Sequence, residues 1–190
     1  MRIGLFFGSF NPIHIGHLII ANIIVEDAKA EQVWFVVSPL NPFKSSNSLL
    51  HEFDRLKMVE AAIYDNYKLR ASDVEFRMPK PSYTIDTLTY ISEKHPHHQF
   101  FLIIGEDNLE QFTRWKNWEM ILENHGLFVY PRPDAKDSTL RNHPKVNFIE
   151  APKIDISATF IRKTIKKNKS IKYLVPDSVL EMIESRKFFL

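Results

Sequence analysis

The chain predicts an α/β fold: a mostly parallel, doubly wound sheet with helices on both faces. Two observations carry this. Short runs that are apolar at every position alternate with helical stripes, as strands covered on both sides require. The residues able to do chemistry cluster where a strand stops or a helix opens, the edge at which such sheets take their ligands.

Ile3–Gly8 begins the series, an apolar run that stops at a glycine. Further strands are expected at Val33–Ser38, Leu69–Ala71 with Val74–Phe76, Phe100–Gly105, Gly126–Tyr130 and Val146–Ile149. Helices are expected at Ile15–Ala28, Phe53–Asp65, Ile85–Lys94, Asn108–Phe112, Glu119–Glu123, Ala158–Lys167 and Asp177–Ser185. Leu56, Val59 and Ile63 mark the apolar stripe of the second helix. The loop 39–50 and the segment 132–145 are rich in turn-forming and charged residues. No repeat or linker divides the chain, so one domain over 1–190 is expected, ending in a small helical part at about 157–190.

Composition narrows the class. The 190 residues suffice for one domain with a sizeable core, and 44% hydrophobic with 25% charged residues is ordinary for a soluble protein. A net charge of +2 is too small for a strong nucleic-acid field, and the basic run 162–169 reads as a solvated helix face. The absence of cysteine excludes disulfides and thiolate metal sites. With no signal peptide and no stretch near the roughly 20 apolar residues of a span, a cytoplasmic protein without membrane contact is expected.

The first motif is Gly8-Ser9-Phe10-Asn11-Pro12-Ile13-His14-Ile15-Gly16-His17. Strand, glycine turn and helix N-terminus make an anion site, because free N–H groups and the positive helix end converge there. His14 and His17 fall on one face of the first helical turn, and Gly16 leaves room for a ligand between them. Anion-binding backbone plus two imidazoles suits phosphoryl chemistry. The bland alternative is a satisfied histidine pair beside an ordinary turn.

Other constellations are weaker alone. Lys44 extends from a proline-stiffened loop, as any solvated lysine does. Ser82-Tyr83-Thr84 precedes a helix, with Ser82 or Thr84 as its N-cap. Gly105-Glu106-Asp107 ends a strand, where a carboxylate either bonds a ribose hydroxyl or caps the next helix. Trp115 and Trp118 are core residues or a stacking surface. Ser157 reads as the cap of the helix carrying Thr159 and Arg162, and all three can face one anion.

The first motif, together with Ile156-Ser157-Ala158-Thr159-Phe160-Ile161-Arg162, resembles the HxGH nucleotidyltransferases. Ser82-Tyr83-Thr84-Ile85-Asp86-Thr87, Gly105-Glu106-Asp107, Trp115 and Arg132-Pro133 narrow the resemblance to the bacterial nicotinate-nucleotide adenylyltransferases, over essentially the whole chain. It implies a Rossmann-like fold and adenylyl transfer from ATP to nicotinate mononucleotide, with Mg²⁺ carried in on ATP. It also implies catalytic roles for His14, His17, Lys44 and Arg162. ATP would meet Gly8, Ser9, Phe10, His17, Gly105, Asp107, Arg132, Ile156, Ser157, Thr159 and Arg162. The mononucleotide would meet Asn11, Lys44, Thr84, Trp115 and Lys116. The oligomeric state stays open, a homo-oligomer included.

Three positions depart from the family pattern: Phe7 where many relatives carry glycine, Ala158 where a hydroxyl is frequent, and Lys116 where an aromatic residue is common. Selectivity for the acid over the amide mononucleotide is expected from N–H donors at Thr84, since no Asp or Glu adjoins Trp115 in sequence. The rivals are another small nucleotidyltransferase acting on phosphopantetheine or a cytidylyl group, a class I aminoacyl-tRNA synthetase fragment, and a non-catalytic nucleotide sensor. The second lacks a Lys-Met-Ser-Lys-Ser match, and the intact basic set speaks against the third.

Overall fold

A computed structural model describes residues 1–27, 30–39, 49–133 and 135–190. Six strands form one sheet: β1 (Arg2–Gly8), β2 (Gln32–Val37), β3 (Leu69–Ser72), β4 (Gln99–Gly105), β5 (Leu127–Tyr130) and β6 (Val146–Phe148). Every pairing is parallel and the order is β3-β2-β1-β4-β5-β6. The order reverses direction between β1 and β4, so a crevice opens at their carboxyl ends.

Alternation along each strand feeds two cores. Ile3, Leu5, Trp34, Leu102 and Ile104 face α3 (Thr84–Lys94) and α5 (Trp118–His125). Phe6, Phe35, Phe101 and Phe128 face α1 (Ile15–Glu26), α2 (Glu52–Ile63) and α7 (Asp177–Ser185). The short α4 (Glu106–Leu109) follows β4 directly, and α6 (Ala158–Lys166) packs Ile161 and Ile165 into the second of these cores.

The C-terminal part is docked onto the sheet domain. The N–H of Ile15, at the start of α1, donates to the Leu174 carbonyl at 3.0 Å, and the Ser178 hydroxyl donates to the Ala61 carbonyl at 2.8 Å. Val175, Val179, Ile183 and Phe189 complete the α1–α2 core.

Two expected elements differ. Val74–Phe76 is not a strand: Val74–Arg77 forms a 3₁₀ turn, with Glu75 buried under it. The expected helix Asn108–Phe112 is instead α4, followed by a separate 3₁₀ turn at Phe112–Arg114. Both segments are short and carry apolar residues that periodicity cannot assign to helix or strand.

Candidate active site

Two cavities, of about 620 and about 570 Å³, open at the carboxyl end of the sheet. They share Phe6, Phe7, Gly8, Asn108 and Tyr130 as a common wall. Phe7 is therefore part of that wall.

The first cavity gathers Gly8, Ser9, Phe10, Asn11, His14, His17, Asp107, Arg132, Ile156, Ser157, Thr159 and Arg162. Segments far apart in sequence meet here: the end of β1, the start of α1, the turn into α4, the end of β5 and the start of α6. Phe10 holds a left-handed backbone with φ 43°, an uncommon state for a bulky residue. Burial of its ring against Phe6, Phe35 and His17 offsets that strain. A Cβ on Gly8 would meet the Phe10 ring at 2.8–3.2 Å, so only glycine lets the turn close this way.

The histidine pair differs from the expected arrangement. His14 is the N-cap residue of α1 and His17 lies one turn on, as foreseen, but the rings stack with centroids 3.7 Å apart. No ligand fits between them. Gly16 serves the ring itself, since a Cβ there would meet His14 Nδ1 at 3.1 Å and Ile154 Cγ2 at 3.3 Å. The His14 backbone N–H donates to His17 Nδ1 at 3.3 Å, which leaves the His17 proton on Nε2. His14 is buried, and desolvation, then the Arg132 charge, lowers its pKa from 6.5 to about 4. It is a neutral imidazole at neutral pH, and among the described residues its Nδ1 has no hydrogen-bond partner.

Around the pair stand the basic groups. Arg162 Nη1 donates to the Asn11 carbonyl at 2.8 Å and Nη2 to Thr159 Oγ1 at 3.2 Å. Burial lowers its pKa, yet a guanidinium stays charged at neutral pH. Arg132 donates to the Ile154 carbonyl at 3.2 Å and lies 3.9 Å from Asp107. Ser157 caps α6 as expected, its hydroxyl accepting from Phe160 N–H at 3.2 Å. Lys44 lies outside the described residues.

The second cavity holds Thr84, Gly105, Trp115 and Lys116 with Ser82 and Glu75. Trp115 is half-buried against Phe112, with ring centroids 5.3 Å apart. Neither Ser82 nor Thr84 caps α3: the N-cap residue is Tyr83, and among the described residues no side chain bonds that helix start. Lys116 is ion-paired with Asp86 at 3.0 Å and sits 4.7 Å over the Tyr83 ring. Its charge is thus largely compensated. Asn11, expected on the mononucleotide side, lines the first cavity, and Gly105, expected on the ATP side, lines the second. Gly105 lets Asp107 fold back over it, because a Cβ would collide with the Asp107 carboxylate.

Glu75 corrects the expectation of an acid-free ring pocket. It is 2% exposed, and the Thr87 hydroxyl donates to its Oε1 at 2.8 Å. Desolvation raises its pKa against the opposing pull of nearby hydroxyls. Tyr130, in the shared wall, keeps its phenol proton, its pKa pushed up to about 12 by burial and the Asp107 charge.

The cytidylyltransferase-like family profile matches residues 5–164. A Cytophaga hutchinsonii chain named nicotinate-nucleotide adenylyltransferase is 62% identical over 189 residues, covering 100% of this chain and 98% of that one. A Flavobacterium johnsoniae chain of the same name is 49% identical over 191 residues, covering 100% and 99%. The chain belongs to the nicotinate-nucleotide adenylyltransferases. Among solved structures, Plasmodium falciparum nicotinic acid mononucleotide adenylyltransferase complexed with NaAD matches with a TM-score of 0.84 at 23% identity, over 99% of this chain and 97% of that one. That likeness carries the Rossmann-like fold. As a nicotinate-nucleotide adenylyltransferase, the chain is a nucleotidyltransferase of NAD biosynthesis, and the rival readings give way to this membership. Among the described residues no helix is long and apolar enough to cross a membrane.

Proposed function

We propose that the first cavity holds the phosphates and adenosine of ATP and the second the pyridine ring of nicotinate mononucleotide. The observation that supports this is the shared wall at the end of β1, adjoining the first cavity where His17 stands, at which the two substrates' phosphates would meet. The mononucleotide's 5′-phosphate oxygen attacks the α-phosphorus of ATP in line. The bond from that phosphorus to the β-phosphate oxygen breaks, and pyrophosphate leaves with the electron pair. The attacking phosphate is already anionic, so no general base is needed, and catalysis is positioning plus charge stabilisation.

His17 donates through Nε2 to an α-phosphate oxygen as its charge rises. His14, kept neutral by burial, supports that ring by stacking and adds a second polar contact. Arg162 and the N-terminus of α6, with Ser157 and Thr159, hold the departing pyrophosphate. Gly8, Ser9, Phe10, Asn11 and Ile156 shape the cradle, and Arg132 sits beside the nucleotide. Asp107, with Gly105 beneath it, meets the ribose. Trp115 stacks on the pyridine ring, while Thr84 and Lys116 offer backbone donors to its carboxylate. Lys44, outside the described residues, is assigned to the phosphates by the family resemblance and its charge.

Among the described residues no three His, Cys, Asp or Glu side chains gather as a metal cage. The family resemblance implies Mg²⁺ arriving on ATP, and Asp107 is a carboxylate lining the phosphate cavity. Bound on the triphosphate, the ion would supply charge neutralisation. The lack of cysteine suits a cytoplasmic setting, and the small net charge suits small-molecule rather than nucleic-acid partners. Residues 1–190 act as one catalytic domain, with 157–190 its docked helical part.

Pyrophosphate release from ATP tests this with three acceptors: nicotinate mononucleotide, nicotinamide mononucleotide and phosphopantetheine. The highest kcat/KM is expected for the first. A preference for phosphopantetheine would overturn the reading of the second cavity.

A further inference from the structure

Arg55, on α2, is fully buried and lines neither cavity. Its Nε donates to the Leu50 carbonyl at 2.9 Å. Nη1 donates to the carbonyls of Ser9 at 2.6 Å and Ser38 at 2.7 Å, and Nη2 to that of Pro39 at 3.1 Å. One planar fork therefore ties the turn after β1, the end of β2 and the lead into α2 to a single point. Leu50 extends the tie, its N–H donating to Asn11 Oδ1 at 3.2 Å. From the other side Arg162 grips the Asn11 carbonyl at 2.8 Å. The turn Ser9–Asn11 is thus held between two arginines, one behind it and one in the cavity.

A buried cation is costly unless paired. Among the described residues no carboxylate forms an ion pair with Arg55, and the nearby Glu52 is bonded to Lys80 at 2.9 Å. Hydrophobic packing would hold α2 at lower cost, because replacing a buried ionic group by apolar residues is often neutral or stabilising. What an apolar residue cannot do is fix four carbonyls in one plane. Burial pulls the Arg55 pKa down to about 10, which leaves it charged at neutral pH.

We propose that Arg55 is a positioning residue for adenylyl transfer, setting the Ser9–Asn11 turn at the place where the reacting phosphates meet His17 and Arg162. This rests on the reading of the first cavity as the phosphate site. The effect belongs to the transition state more than to ground-state binding, because a turn displaced by a fraction of an ångström still offers donors to ATP but misaligns the in-line attack.

Arg55→Lys keeps the charge and loses the fork. Per folded molecule, its kcat is expected to fall about 10- to 100-fold, with KM for ATP and for the mononucleotide changed less than about threefold. Arg55→Ala leaves a guanidinium-sized space, and millimolar guanidinium is expected to raise its kcat where equal sodium chloride does not. Where Arg55→Ala does not fold, Arg55→Lys decides alone. A lower melting temperature with kcat per folded molecule within about twofold of the parent overturns the proposal and leaves Arg55 a support of the fold. His17→Ala, run alongside, separates the two claims: if it too keeps its kcat, the reading of the cavity itself fails.

Discussion

The two cavities share a wall, yet a different kind of buried charge stands behind each. Behind the phosphate cavity is Arg55, with four carbonyls on one guanidinium. Behind the ring cavity is Glu75, its Oε1 accepting from Thr87 and the hydroxyls of Ser38 and Ser82 close by. The first is a cation whose bonds fix backbone; the second is a carboxyl whose pKa burial raises. On the proposed reading the phosphate side aligns a reaction, and its frame is polar. The ring side then accepts a flat group carrying an anion, and an ionised carboxylate there would repel it. The contrast predicts large catalytic effects from the first cavity and smaller effects on stability and selectivity from the second.

The largest effect is expected at His17. It is the one imidazole of the pair whose proton is directed by a backbone bond to Nδ1. Losing a donor to developing charge typically costs on the order of 10²–10³ in turnover. Steady-state kinetics on folded His17→Ala should show that drop in kcat, and near-normal turnover would remove His17 from the mechanism.

His14 should register in stability. The unfolded chain protonates this imidazole near 6.5, the folded chain only near 4. Between those values the unfolded state binds the extra proton, so stability is full above pH 6.5 and is lost as pH falls towards 4. The difference corresponds to at most about 3 kcal/mol. Denaturant unfolding of the parent and His14→Asn from pH 7.5 to 4 should show the parent losing stability faster. Parallel curves would mean that the buried ring does not resist protonation.

Much of this was legible in the chain, for identifiable reasons. Parallel strands buried on both faces leave long apolar runs, so β1, β2 and β4 show in sequence to within a residue. Caps show where a short hydroxyl does the work, as at Ser157, but not at α3, which begins after an uncapped tyrosine. The stacking of His14 on His17 was hidden, because spacing places two rings on one face without saying whether they touch. Arg55 left a trace: it shares a helical face with Met58 and Val59, an arginine on an apolar stripe. Glu75 left none, since its burial depends on a 3₁₀ turn that reads as a strand.

Glu75 sharpens the comparison in the opposite direction of pH. Its folded pKa lies above the ordinary 4.5, so the stability it permits is full below that value and is lost as pH rises through the folded pKa. Glu75→Gln keeps shape and a donor while removing the ionisation. Its stability relative to the parent should therefore grow as pH rises above about 4.5 and level off once the folded carboxyl has ionised. A constant offset across pH would show that Glu75 does not change its proton on unfolding.

The smallest effect is expected at Lys116. The acid mononucleotide should be preferred, because α3 opens on the ring cavity with no side chain capping it, offering donors and a positive helix end to a carboxylate. An amide donor facing N–H groups costs about 1–3 kcal/mol, roughly tenfold to a hundredfold in kcat/KM. Lys116 adds a charge nearby, but Asp86 holds it at 3.0 Å and both side chains are about half exposed, at 44% and 46%. An exposed pair of this kind is worth about 0–1 kcal/mol. Lys116→Tyr should accordingly change the acid-to-amide ratio by less than about threefold, read as kcat/KM for the two mononucleotides in each protein. A collapse of the ratio by tenfold or more would move the discrimination from the backbone of α3 to the lysine ammonium. The ring cavity would then select its substrate by a side-chain charge, as the phosphate cavity does.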